Sequence, residues 1–131
     1  MIRVLFIAAA AALFAGCSSG PVIGMQSRAS GLPQGYKGAQ VLATGLRLYE
    51  DARYSESARN LQNAIYQGLS DKDRVTAHKH LAFIHCASGR EGECRDEFGR
   101  ALDIDPKTEL TRAEAGHPRW GPVFRSVKAE R

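Results

Sequence analysis

Three cysteines and four histidines are the residues of this chain with the widest chemical repertoire. Cys86 and Cys94 flank Gly89, and His78, His80 and His85 come just before them. A metal would need several of these side chains on one face. On a helix, His78 and His80 point about 160° apart, and His78 and His85 share a face but stand about 10 Å apart along the axis. That geometry does not chelate, so no metal site is expected. No nucleophile elbow, phosphate loop or pair of carboxylates over a cleft is legible. Glu91 and Glu93 suit the positive end of a helix better than acid–base work. The chain therefore reads as a non-enzyme, with no catalytic residue and no small-molecule substrate. A short hairpin can bring Cys86 and Cys94 together. In an oxidising compartment they would form a disulfide, and otherwise they would be two small buried thiols.

The remaining cysteine, Cys17, sits in a different context. Met1-Ile2-Arg3 carries one positive charge, and Val4 to Phe14 is an unbroken apolar run. As a helix that run is about 16 Å long, roughly half a bilayer core. It suits a secretory signal rather than a membrane span. The stretch Leu13-Phe14-Ala15-Gly16-Cys17 resembles the lipobox of bacterial lipoproteins, although Phe14 replaces the usual Leu. The resemblance implies a signal peptide over residues 1–16, removal before Cys17, and diacylglyceryl and acyl groups on Cys17. No other cofactor is implied. Each buried CH₂ of those chains adds about 0.8 kcal/mol of membrane affinity, so two or three chains hold firmly. Ser18, where Asp would favour inner-membrane retention, implies an outer-membrane anchor facing the periplasm.

Residues 17–38 are rich in Gly, Ser and Pro and read as a lipidated flexible tether, with a root-mean-square span of about 25 Å. Residues 39–131 remain to fold. An apolar content of 44% is enough for one small packed core. The net charge is +4, and thirteen of the eighteen basic residues are Arg. They are scattered rather than interleaved with aromatics, which argues against a nucleic-acid partner.

The folded part alternates helical periodicity with short breakers, and no stretch alternates with period two for long enough to be a strand. Val41, Gly45 and Leu48, then Leu61 and Ala64, define two helices separated by Ala52-Arg53-Tyr54-Ser55. Ser70 and Asp73 read as the start of a third, which Gly89 stops. A fourth runs from Glu91 to Ile104, before Pro106. Gly45 recurs as Ala82, Ala52 as Gly89, Leu61 as Phe98 and Ala64 as Ala101, each pair 37 residues apart. Such a period marks a helical repeat.

The second copy resembles a tetratricopeptide repeat: Leu81-Ala82 on its first helix, Gly89 at the turn, then Cys94, Phe98, Ala101 and a closing Pro106. His85 departs from the usual aromatic. The first copy is looser, and the long period implies a lengthened loop from Gln67 to Lys72. The expected fold is all-α, with two tetratricopeptide-like hairpins and a C-terminal capping helix. Two repeats leave an open apolar edge. Thr111 to Glu114 reads as another capping box, and Gly121-Pro122 opens a final helix. Trp120, Val123, Phe124 and Val127 form its apolar stripe, either a cap on the second repeat or a partner site.

The tail from Ala113 to Arg125, with the lipobox and the repeats, is similar to an accessory lipoprotein family encoded with bacterial type VI secretion systems. That resemblance implies an envelope scaffold that binds protein partners of the secretion machine. A lipoprotein of pilus or outer-membrane assembly is the alternative, and a small enzyme or metal protein the disfavoured one. In tetratricopeptide domains the first helix of each repeat lines a partner groove. Carried over, that face holds Leu42, Leu46, Tyr49 and Glu50, then Thr76, Lys79, Phe83 and Cys86. It suits an amphipathic or extended peptide, unless the chain's own linker or tail fills it.

Overall fold

The structure, a computed structural model, describes residues 34–131. The apolar leader, Cys17 and the tether up to residue 33 lie outside the described residues. The described part is all-α, with six helices: α1 (Gln34–Glu50), α2 (Tyr54–Gln67), α3 (Asp71–Ala87), α4 (Glu91–Ile104), α5 (Arg112–Ala115) and α6 (Gly121–Ala129). α1 pairs with α2 and α3 with α4, and α2 packs on α3 to stack the hairpins. α6 packs on α4, and α5 leans on α6. This is a tetratricopeptide-like arrangement of helical hairpins.

The two hairpins close in the same way. In the first, Arg53 N–H donates to the Leu48 carbonyl (2.8 Å) and Ala52 has a φ of 58°. In the second, Arg90 N–H donates to the His85 carbonyl (2.9 Å) and Gly89 has a φ of 76°. Each left-handed residue turns the chain out of its helix and satisfies a terminal carbonyl. The crossing points also correspond. A Cβ on Gly45 would stand 3.0 Å from Leu61, so α1 and α2 touch where only hydrogen fits comfortably. Ser57, fully buried, donates its hydroxyl to the Gly45 carbonyl at 2.8 Å. Ala82 and Cys94 hold the same places in the second hairpin and are equally buried.

Several boundaries differ from those expected. The composition predicts a tether up to Gly38, yet α1 begins at Gln34. Gly38 is no spacer: a Cβ there would stand 2.0 Å from the Gly68 carbonyl oxygen, so this glycine lets α1 meet the end of α2. Tyr54 and Ser55, read as part of a breaker, form the first turn of α2. The loop expected from Gln67 to Lys72 is only Gly68 to Ser70, because Ser70 caps α3 by accepting the Asp73 N–H at 3.2 Å. The extra residues of the long repeat sit in helix instead; α1 and α3 have 17 residues each.

α3 is central, and from Leu81 to Cys86 every residue is buried. One apolar cluster joins Leu42, Leu61, Ala64, Ala77, Leu81 and Ile84 across the first three helices. A second joins Phe83, Cys86, Cys94 and Phe98 of the second hairpin to Phe124 and Val127 of α6. Among the described residues, no helix is long and apolar enough to cross a membrane.

Candidate interaction surface

Of the eight residues mapped to a groove, three are not available to a partner. Leu42, Phe83 and Cys86 are 5%, 2% and 6% exposed and belong to the core. The mapping fails there because Leu42 of α1 packs into the cluster with Leu61 and Leu81, and α3 lies against α1, α2 and α4 with every residue from Leu81 to Cys86 buried. Leu46, Tyr49, Thr76 and Lys79 are half-buried, and Glu50 is exposed.

The chain's own tail covers the far end of this face. Trp120 lies on Phe83, with ring centres 4.8 Å apart, and His117 stacks on Trp120. Lys79 Nζ donates to Glu114 Oε2 at 3.0 Å, in a pair largely shielded from solvent. The capping box at Thr111 and Glu114 sets the direction of this strap, each residue satisfying the other's backbone N–H. Phe124 meets Phe98 edge to face at 5.1 Å. Phe124 and Val127 are buried, whereas Trp120 and Val123 are half-buried.

Beside the strap an aromatic patch stays open. Tyr49 packs against His80 at 5.1 Å and Tyr54 at 5.5 Å, and Tyr54 is 43% exposed. Burial pushes the Tyr49 hydroxyl above the usual tyrosine pKa, helped by neighbouring Tyr54 and Glu114. Burial lowers the pKa of His80. At Glu114, burial favours the protonated acid, but hydrogen bonds from the Thr111 backbone and Lys79 outweigh it and hold the carboxyl below its ordinary range.

Cys86 and Cys94 are joined by a disulfide that ties α3 to α4. Beside it His85 is buried, with its Nδ1 unpartnered. His78 does not stand alone: its Nδ1 lies 2.6 Å from Glu97 Oε2 across the helix pair, and Glu97 also receives Arg100. This buried pair was not legible in the sequence, since its members are 19 residues apart on different helices. Glu91 and Glu93 lie in the first turn of α4. Among the described residues, no group of three or more His, Cys, Asp or Glu is placed to hold a metal.

Comparison with known proteins adds one point. Over 81 residues, 60% of this chain, the sequence is 27% identical to the photosystem I assembly protein Ycf3 of Synechococcus sp. (strain CC9902). The match covers 47% of that protein, so the chain spans about half its length. The similarity and the stacked hairpins together fit tetratricopeptide-like proteins. No family model and no solved structure matches.

Proposed function

We propose that this chain is a lipid-anchored scaffold of the bacterial envelope, held to the outer membrane through Cys17 and facing the periplasm. Its partner is a protein component of a secretion machine, of the type VI kind by the resemblance of the tail. The observation that carries the reading is the open patch of Tyr49, Tyr54 and His80 beside exposed Glu50. A half-exposed aromatic cluster with a polar rim is a protein-binding surface more than a reaction site. The matched relative is by name an assembly protein, which favours the same kind of role here. The lipobox supports the anchor. The paired cysteines suit an oxidising compartment.

Two measurements test it. Radiolabelled palmitate should enter the wild-type chain and not Cys17→Ala; label in both, or in neither, defeats the anchor. A photo-crosslinking residue at Tyr54 should join the chain to a component of the secretion machine in cells. The same residue at Arg59, exposed on α2, is the control. Equal crosslinking from both positions would reject the patch as the interface.

A further inference from the structure

Resting on that reading, we propose that the hollow between the start of α3, the end of α4 and the connector to α5 seats an acidic peptide segment of the partner. Lys72 and Lys107 would take its carboxylate, and Val75 and Ile104 an adjacent apolar side chain. The hollow has a volume of about 530 Å³, and these four residues and Asp105 line it. It adjoins Thr76 and Lys79 of the interaction face, which line it too.

Charge accounting selects the occupant. Most acids around the hollow are engaged: Asp71 with Arg74, and Glu109 with Lys128. Lys79 is engaged with Glu114. Lys72 and Lys107 are exposed and form no ion pair among the described residues. Two ammonium groups are therefore left over at one rim. Asp105 remains, and one of its oxygens accepts the Lys107 N–H at 2.9 Å. A fully ionised simple anion brings no donor to that carboxylate. A peptide supplies backbone N–H donors for its second oxygen as well as an acid for the lysines. Half-buried Val75 and Ile104 give a small apolar floor, which an inorganic anion would not use. The combination of acid, amide and apolar group is a peptide's.

The test is an amide-shift titration of the full chain by nuclear magnetic resonance. The probe is the blocked tripeptide acetyl-Leu-Asp-Leu-amide, with its Asn isostere and inorganic phosphate as comparisons. The acidic peptide should move the amides of Lys72, Val75, Ile104 and Lys107 and saturate. One exposed charge interaction implies roughly fivefold weaker binding of the Asn peptide. Lys72→Glu with Lys107→Glu should abolish the shifts, and Lys72→Arg with Lys107→Arg should keep them. Both sites are exposed, and an acid at position 72 suits the start of α3, so an unchanged melt should accompany either pair. Equal binding of the Asn peptide, equal binding of phosphate, shifts confined to other residues, or shifts surviving the Glu pair would each overturn the proposal. Such a failure with crosslinks from Tyr54 intact would reject this seat alone. Loss of the Tyr54 crosslinks with the titration positive would reject the aromatic patch instead.

Discussion

Ala52 and Gly89 occupy one backbone position in two copies of the same hairpin, 37 residues apart, both with positive φ. In each, the residue that follows donates its N–H to the carbonyl four residues before the left-handed one, Arg53 to Leu48 and Arg90 to His85. Glycine reaches this conformation freely, whereas alanine pushes its Cβ toward a carbonyl, at about 1 kcal/mol or more. The first hairpin therefore carries strain that the second lacks. Ala52→Gly should raise the stability by about 0.5–1 kcal/mol, after the added freedom of the unfolded chain is subtracted. Urea unfolding measures it, and a lowered midpoint would contradict the positive φ at Ala52.

The Cys86–Cys94 bond closes a loop with a sequence separation of 8. A loop that short gives a chain-entropy contribution of about 2–3 kcal/mol. In the first hairpin Ser57 fills the place of Cys94, and its hydroxyl binds the Gly45 carbonyl. Cys86→Ser with Cys94→Ser keeps both sites small and should lower stability by about that amount, as should a thiol reductant on the wild type. If reductant leaves the melting temperature unchanged, the bond contributes nothing to folding.

Acid should weaken the fold in two stages. Burial holds the pKa of His80 below 6.5, and burial with Arg90 nearby does so at His85. Well above 6.5 these rings are neutral in both folded and unfolded chains and contribute no pH dependence. As the pH falls below 6.5, the unfolded chain takes up protons that the folded chain resists, so stability drops. Glu114 acts lower: its depressed carboxyl stabilises the fold above pH 4.5, and that stability is lost as the pH falls further. Melting temperatures at roughly pH 7.5 and 5.5 should show the first stage, and His80→Gln with His85→Gln should flatten it. An unaltered slope in that double variant would assign the effect elsewhere.

Much of the helical frame could be read from local punctuation. Gly89, Pro106, the Ser70 cap and the Thr111–Glu114 box each act within one turn of chain, so their signals are adjacent in the sequence. Gly38 carries no such signal, because glycine is used both where a chain bends and where two helices touch, and its own neighbours do not distinguish these uses. Neither the His78–Glu97 pair nor the seat of Trp120 on Phe83 has a local signature. Each joins residues far apart in the chain, at a position fixed only once α3 and α4 pack. The groove residues failed for the related reason that the helix pattern marks an apolar face without saying which neighbour takes it.

Gly38 offers a test of its own. The Cβ of Gly38→Ala would stand 2.0 Å from a backbone oxygen of Gly68, which no rotamer change can relieve. α1 must shift, at about 1–3 kcal/mol. Hydrogen exchange should speed in α1 before it does in α4. A neutral effect would return residue 38 to the tether.

α6 is either a cap on the second hairpin or a partner site, and the two make different demands on its side chains. Phe124 and Val127 are 4% and 5% exposed and close the second cluster against Phe98 and Leu102. Removing the Phe124 ring leaves a cavity on α4, and Phe124→Ala should cost about 3–5 kcal/mol. That is a large share of the stability of so small a domain. Arg125, exposed on the same helix and with one long hydrogen bond, to the Ala115 carbonyl, among the described residues, should tolerate Ala within about 0.5 kcal/mol. Trp120→Ala tests the strap separately. Its ring covers Phe83 from one side while half exposed, so the loss should fall between the other two. Thermal melts of the three variants should follow the order Phe124, Trp120, Arg125, from most to least destabilised. If Phe124→Ala melts with the wild type yet no longer crosslinks in cells through Tyr54, α6 is a binding element and the packing against Phe98 is not what holds the second hairpin. A large drop in melting temperature, with a still larger drop after truncation at Glu114, makes α6 the end piece of the stack.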